Sequence, residues 1–310
     1  MLTVFIDGDQ GTTGLRVRER LAGREDITLL SLPEEKRKDL DARAAMARRA
    51  DATILCLPDA ASRELVDALG EEEGVILDAS TAHRTDPRFT YGFPELGAAQ
   101  AQAVKSARRI AVPGCHASGC IALIKPLVDA GLLSPGAPLS LLSLTGYSGG
   151  GKRMIADYEA PDRPAALHAP RPYAVGQSHK HLPEITHVCG LSRPPVFQPV
   201  VMDVFSGMLV SLPLTEGILS PKASLAEVSS AYRAFFEGAA LVRVLEDNPE
   251  AVIDSVALSG SDRMELFVTG NDERMIAYAR FDNLGKGACG AAIECLNLVL
   301  GAPPLTGLAL

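Results

Sequence analysis

LTVFIDGDQGTTGLRVRERL, residues 2–21, decides how the first third of the chain folds. Leu2–Ile6 is an apolar run with β-branched members, followed by Gly8, Gly11 and Gly14 in a G-x-x-G-x-x-G spacing. LRVRERL then carries helical periodicity through Leu15 and Leu21. Strand, glycine turn and helix, in that order, are the setting for binding a pyrophosphate. Glycine lets the backbone turn sharply and approach the phosphates, whose charge then rests on the helix N-terminus. The spacing is not the commoner G-x-G-x-x-G, so an ordinary strand-to-helix turn stands as the alternative.

Outward from that turn, Ile27–Leu30 reads as a second strand, ending where a dinucleotide fold usually carries an acid for the ribose hydroxyls. Ser31 stands there instead, with Lys36, Arg37 and Lys38 just beyond. A hydroxyl with cations suits a 2′-phosphate, so NADP is expected over NAD; a solvated helix start is the plainer reading of the three cations. Ala52–Leu57 and Val75–Leu77 read as further strands, with helical ASRELVDAL between them. That alternation implies a parallel sheet. Its ligands are expected outside the carboxyl ends of the strands, at Pro58-Asp59 and Asp78-Ala79-Ser80. Cys56 reads as core filler within its strand.

AVPGCHASGC, residues 111–120, raises a chemical question. Ile110–Val112 reads as a strand, Pro113-Gly114 turns it, and Cys115 falls at or just before a helix read over residues 118–133. Backbone amides at a helix start lower a thiol's pKa and can hold the oxyanion of a tetrahedral intermediate. A nucleophile is therefore weighed against a small buried hydrophobe and a metal ligand, while Cys120 reads as packing. A nucleophile wants a base. GQSHKHLPEI, residues 176–185, offers His179 and His181, read as sharing one side of an extended segment ahead of Glu184. With only His187 and Cys189 as further ligands, no metal is expected. Arg84 in DASTAHRT is the candidate for gripping a phosphate or carboxylate. GYSGGGK, residues 146–152, lacks P-loop spacing and reads as a flexible loop bordering the site.

Composition bounds the rest. The 310 residues suit two domains, with 47% apolar and 22% charged residues in the ordinary globular range. A net charge of −8 argues against nucleic acid as a partner, because phosphate binding needs a basic face. The six cysteines include no C-x-x-C pair, and no cleavable leader or membrane-length apolar run is visible, so a cytoplasmic protein is expected. LSLLSL, PVVMDVF, GMLVSLPL, MELFVTG and MIAYARF follow as strand-like runs, with one clear helix near Leu225–Phe236. Strands without regular helical crossovers imply an α+β second domain. In DNLGKGACGAAIECLNLVLG, Asn283, Gly285 and Gly287 precede a last helix as if addressing a ligand.

Taken in order, G-x-x-G-T-T-G, D-A-S-T-A-H-R, P-G-C, G-Y-S-G-G-G-K, H-K-H-L-P-E and D-N-L-G-K-G-A make the chain resemble the N-acetyl-γ-glutamyl-phosphate reductases of arginine biosynthesis, in their short form. The resemblance covers essentially the whole chain. It implies a glyceraldehyde-3-phosphate dehydrogenase-like pairing of a Rossmann-type α/β NADP-binding domain with an α+β catalytic and dimerisation domain. The first would span residues 1–115, completed by a C-terminal helix at 286–310, and the second residues 116–285. It also implies a homodimer or homotetramer, Cys115 as nucleophile and His181, in preference to His179, as proton carrier. Arg84, His179, Glu184 and Ser148 would then meet the acyl phosphate. Gly8, Gly11, Thr12, Thr13, Gly14, Ser31, Arg37, Leu57, Pro58, Ser80, Asn283 and Gly285 would meet NADPH. The chain departs from the family pattern beside the cysteine. Val112, His116 and Ser118 stand where the family usually has Asn before P-G-C and an aromatic residue and threonine after it. A reductase of a related acyl phosphate (acetylated aminoadipyl or aspartyl) and a non-catalytic NADP-binding sensor are the rival readings.

Overall fold

Leu2–Asp7 forms strand β1 and runs through the glycine turn into helix α1, Thr12–Ala22. In a computed structural model, which describes residues 1–70, 74–215, 217–219, 222–246 and 251–310, this segment opens the first of two units. That unit comprises Met1–Pro94, Ala98–Pro113 and Ala288–Ala309. Its further elements are β2 Ile27–Leu30, α2 Leu40–Arg49, β3 Ala52–Leu55, α3 Asp59–Leu69, β4 Val75–Asp78, β5 Thr90–Tyr91, α4 Ala98–Ser106 and β6 Arg109–Ala111. The strands form one parallel sheet in the order β2-β1-β3-β4-β6-β5. The chain leaves β1 outward to β2 and returns on the other side as β3, so the order reverses between β1 and β3. Ligands of open parallel sheets bind outside the strand ends at such a reversal.

Alternation along the strands explains the sheet's two covered faces. Val4, Ile6, Ile54, Leu77 and Ile110 point to one side, where Val17, Leu21 and the C-terminal helix Gly290–Leu300 pack. Phe5, Leu55, Ile76 and Ala111 point to the other, against Ala44, Ala47, Leu65 and Leu69 of α2 and α3. With both faces buried, the inner strands β1 and β3 read as nearly continuous apolar runs. Helix α1 buries Gly14, Val17 and Leu21, while Leu15, expected on the apolar stripe, is 43% exposed. The buried stripe starts one residue earlier, because only a residue without a side chain lets the helix begin against the glycine turn. β3 ends at Leu55, two residues before the expected end, and Cys56 lies just beyond it.

The second unit comprises Glu95–Gly97 and Gly114–Gly287, with the terminal Leu310. Its elements are α5 Cys115–Asp129, β7 Ser140–Gly146, α6 Gly151–Glu159, β8 Arg171–Pro172, α7 Leu182–Val188, β9 Val196–Met202, β10 Met208–Thr215, α8 Leu225–Phe235, β11 Val242–Val244, β12 Met264–Asn271 and β13 Arg274–Phe281. They build a mixed sheet in the order β11-β12-β13-β10-β7-β9-β8. The β10, β13 and β12 pairings are antiparallel and β7 runs parallel to β9. The two sheets are the α/β and α+β architectures expected from the sequence.

Further local expectations change. The last helix spans Gly290–Leu300 rather than residues 286–310. Helix α5 spans Cys115–Asp129 rather than starting near residue 118, so the small residues after the cysteine are helical. Their smallness serves packing: residues 116–124 are all buried, and a Cβ on Gly119 would come within 2.5 Å of Val210 Cγ2 and 2.8 Å of Phe281 Cε1. Nor is residues 146–152 a flexible loop. Tyr147–Gly150 is a 3-10 turn that leads straight into α6. The Gly146, Tyr147 and Ser148 amides donate to the carbonyls of Gly207, Val204 and Phe205 at 2.9–3.1 Å, which pins it.

Lys286 and Glu95 form a buried pair in this unit, Nζ lying 2.6 and 2.7 Å from the two carboxylate oxygens, with side-chain exposures of 1% and 4%. Removing one partner strands a charge out of water, whereas replacing both with apolar groups is close to neutral. Lys286→Met is therefore expected to cost about 3–5 kcal/mol in urea unfolding. Glu95→Leu added to it should recover most of that loss, and a double variant less stable than the single one would refute this account of the pair.

Candidate active site

At the sheet's reversal point the glycine turn is built for close approach. Gly8 sits at φ +87°, and a Cβ there would overlap the Cys56 carbonyl beyond β3. A Cβ on Gly14 would overlap the Gly8 carbonyl, and the Gly11 amide donates to that same carbonyl at 3.0 Å. Gly11 caps α1 with no side-chain hydrogen bond, leaving the first-turn amides of α1 without a side-chain acceptor from the cap. Thr12 Oγ1 is shielded from solvent and no described residue hydrogen-bonds to it. A buried hydroxyl awaiting a partner, beside a cradle that any Cβ would fill, fits a dinucleotide phosphate. Thr13 and Leu57 are partly buried nearby in sequence, and Pro58 is the exposed cap of α3. Ser31, just past β2, is exposed, and Arg37 follows a 3-10 turn at Glu34–Lys36 and is partly buried.

The D-A-S-T-A-H-R turn is internally braced. Asp78, at the end of β4, accepts from the Ser80 amide at 2.9 Å and the Ser80 hydroxyl at 2.8 Å, and lies 2.6 Å from His83 Nδ1. His83 stacks on Phe89 with centroids 4.3 Å apart. Arg84, expected to grip an anion, is 8% exposed and donates to the carbonyls of Val112 at 2.9 Å and Ala79 at 3.1 Å. Its guanidinium therefore braces the ends of β4 and β6 beside the turn that leads to Cys115. Ser80, expected at the cofactor, spends its hydroxyl on Asp78 and on the Ala82 amide.

In the second unit Cys115 is the first residue of α5, capped by Gly114, and is partly exposed. Glu184, expected to touch substrate, is 1% exposed and accepts the Gly114 amide at 2.9 Å. Its carboxylate thus positions the turn that carries the sulfur. Gly287 backs the same turn: a Cβ there would come within 3.0 Å of Cys115 Cβ. The histidine pair is not extended. His181 caps α7 in helical backbone, and its amide donates to His179 Nδ1 at 3.1 Å. A turn at Lys180, closed by the Leu182 amide on the His179 carbonyl, brings the two rings to 4.7 Å between centroids. Because His179 Nδ1 accepts, its neutral form carries the proton on Nε2.

The sequence reading missed a third imidazole. His116 is 2% exposed, with ring centroids 5.4 Å from His179 and 5.7 Å from His181. Its Nδ1 lies 2.6 Å from Ser143 Oγ on β7 and its Nε2 2.6 Å from the Tyr173 hydroxyl. Burial, aided by the positive charges of His179 and Lys180, pushes the His116 pKa down to about 3. Burial, with the Cys115 thiolate adding to it, raises that of Tyr173. The departure from the family's aromatic residue at 116 was the only signal in the sequence. Among the described residues, no group of three or more His, Cys, Asp or Glu side chains is arranged to hold a metal ion.

Ser148, Asn283 and Gly285 make contacts within the second unit. Asn283, 1% exposed, accepts the Gly207 amide at 3.0 Å and donates to Ser148 Oγ at 3.0 Å. A Cβ on Gly285 would overlap the Ser261 carbonyl, so that glycine permits close chain approach within the second unit.

A dinucleotide cradle in a parallel-sheet unit, and a helix-start cysteine with histidines in a mixed-sheet unit, give the chain the two-part organisation of a dehydrogenase. The semialdehyde dehydrogenase NAD binding domain matches residues 10–104, and the semialdehyde dehydrogenase dimerisation domain residues 115–283. N-acetyl-gamma-glutamyl-phosphate reductase of Rhizobium leguminosarum bv. trifolii is 43% identical over 306 residues, covering 96% of this chain and 99% of its own. That of Brucella anthropi is 45% identical over 305 residues, covering 96% and 98%. Aspartate semialdehyde dehydrogenase II of Vibrio cholerae shares the fold at a TM-score of 0.73 and 17% identity, over 97% of this chain and 99% of its own. The chain belongs to the semialdehyde dehydrogenase family, in its N-acetyl-γ-glutamyl-phosphate reductase group.

Two outcomes follow from this geometry. Gly14→Ala should weaken dinucleotide binding, read by fluorescence titration, far more than Gly23→Ala, whose Cβ meets nothing within 4 Å; equal effects would count against the cradle. His116 binds a proton below its ordinary 6.5 in the unfolded chain but only near 3 in the folded one. The unfolded state therefore holds more protons across that window, and stability falls as pH drops through it. Urea midpoints measured from about pH 6.5 downward should fall less steeply in His116→Phe than in the parent.

Proposed function

We propose that this enzyme reduces N-acetyl-γ-glutamyl phosphate to N-acetylglutamate 5-semialdehyde with NADPH, in arginine biosynthesis, through a thioester on Cys115. The observation that carries the reading is Cys115 itself, at the first position of α5, with its preceding amide held by Glu184. The names of relatives at 42–45% identity support the substrate.

The Cys115 thiolate attacks the acyl carbon, the tetrahedral oxyanion collapses, and inorganic phosphate leaves with the bonding electrons of the cleaved C–O bond. Amides at the start of α5 stabilise the oxyanion; losing one such donor costs about 2.7–4 kcal/mol in comparable sites. Bound NADPH supplies the hydride that reduces the thioester. His181 gives a proton to the resulting hemithioacetal oxygen and takes one back as the sulfur departs, leaving aldehyde and thiolate. His179, fixed by the His181 amide, presents Nε2–H to the substrate side. Splitting the reduction at a covalent thioester replaces one difficult step with two easier ones.

Ser31 and Arg37, after β2, support a 2′-phosphate and hence NADPH over NADH. The dimerisation-domain match over residues 115–283 supports a homo-oligomer, a dimer or tetramer. No described helix is long and apolar enough to cross a membrane, and we place the enzyme in the cytoplasm.

The direct test is phosphate-dependent NADP reduction with N-acetylglutamate semialdehyde, beside aspartate semialdehyde. The parent should prefer the first, and Cys115→Ser should be inactive; undiminished activity in that variant would eliminate the covalent mechanism. His181→Asn should lower kcat by about 10²–10⁴-fold, and a larger loss in His179→Asn would reassign the proton carrier. Arg37→Ala should raise KM for NADP more than for NAD.

A further inference from the structure

The mechanism above leaves unused an imidazole that follows the nucleophile directly. His116 is 2% exposed and bridges two hydroxyls, Ser143 Oγ at 2.6 Å from Nδ1 and Tyr173 Oη at 2.6 Å from Nε2. Ser143 is 0% exposed, so no solvent competes for its hydroxyl. Around the ring stand Tyr173, His179 and Lys180 on the segment after β8, His181 at the cap of α7 and Phe197 of β9, with Cys115 preceding it on its own helix.

The segment that carries Tyr173 and His179 is held under strain. Ala174 and Gln177 have φ of 48° and 55°. L-residues enter that left-handed region at a cost of about 1–2 kcal/mol each. The Gln177 carboxamide clamps it, Nε2 donating to the Phe197 carbonyl and Oε1 accepting the Phe197 amide, both at 2.9 Å. Strain of this kind persists where the surroundings over-determine it, and it concentrates at functional sites. What the clamp fixes is the placement of one phenol and one imidazole.

A neutral imidazole has one donor and one acceptor. With the proton on Nδ1, the ring would accept the phenol's hydrogen and leave Tyr173 only lone pairs to offer. With the proton on Nε2, Ser143 donates to Nδ1, Nε2–H donates to Tyr173, and the phenol's own hydrogen is left for a ligand. A site that builds negative charge on a substrate oxygen needs the second arrangement. We propose that His116, as the Nε2–H tautomer, is the positioning residue that holds the Tyr173 hydroxyl as a hydrogen-bond donor to the acyl oxygen of the substrate. This rests on the reductase reading and adds to it a donor that comes from a side chain rather than from the start of α5.

Two measurements test it. In ¹⁵N-histidine NMR of the full-length enzyme, the resonance that disappears in His116→Phe should report the Nε2–H tautomer, unchanged from about pH 8 to about pH 5. The Nδ1–H tautomer would overturn the proposal whether or not the enzyme accepts the substrate named above. In kinetics, Tyr173→Phe should lower kcat by about 10²-fold, the cost of one such donor, with KM for NADPH unchanged. His116→Phe should lose about as much, and the double variant no more than either, because the two residues act as one unit. Multiplying losses, or full activity in Tyr173→Phe, would overturn it. His116→Gln, whose amide also offers a donor and an acceptor, should recover part of the rate, and no recovery would count against a positioning role. Should His116→Phe fail to fold, Gln177→Ala provides the alternative: it frees the same segment, and an unchanged kcat there would refute the proposal.

Discussion

One hydrogen bond organises the catalytic unit: the Gly114 amide donates to the buried Glu184 carboxylate at 2.9 Å. It joins the start of α5, where the sulfur sits, to the first turn of α7, where His181 is the cap. A carboxylate that is 1% exposed is costly to bury unless its oxygens are hydrogen-bonded. The bond thus ties the two elements together, because it helps make a buried charge tolerable while the cysteine turn is in place. Gly287 allows the contact to be this close, since any side chain there would press on Cys115.

In the nucleotide unit the governing constraint is the parallel sheet. The inner strands hide both faces, so alternate residues belong to different hydrophobic clusters, Val4 and Ile6 to one and Phe5 to the other. A buried parallel strand exposes only its ends, and chemistry there falls to the turns. The turns accordingly carry Gly8, Thr12, Pro58 and Ser80, and they are braced from beneath by buried charges. Arg43 donates to Asp7 at 2.8 Å at the end of β1, where burial raises the Asp7 pKa despite the guanidinium. Arg84 holds the carbonyls around β4 and β6.

The fold was legible because its signals are local. The runs LTVFID and ATIL, the glycine turn and the later strand-like runs each announce themselves within ten residues. P-G-C and H-x-H-x-x-E stood out in the sequence, but their geometry did not: the histidines are turned rather than extended, and Glu184 accepts the Gly114 amide 70 residues away. Ser143 and Tyr173 stand 27 and 57 residues from His116, on elements joined only by folding, and no spacing rule reaches them. Glycine marks close approach without saying what approaches. Gly8 and Gly14 open space at a turn suited to a ligand, Gly285 opens it for the Ser261 carbonyl and Gly119 for Val210 and Phe281. The residue type is the same because the steric demand is the same, whatever atom makes the approach. Polar side chains in these motifs carry structural bonds that spacing does not reveal: Arg84 donates to backbone carbonyls, and Ser148 accepts from the Asn283 side chain.

The three imidazoles explain why proton transfer here is assigned to a single group. Two unit charges about 4.7 Å apart, the separation of the His179 and His181 rings, repel by roughly 3.5 kcal/mol at an effective dielectric constant of about 20. A second proton on the pair is opposed by the first, and burial holds the neighbouring His116 ring neutral. That matches a reaction in which one hemithioacetal oxygen gains and then loses one proton, while the neutral third ring is free to orient a hydroxyl instead of titrating.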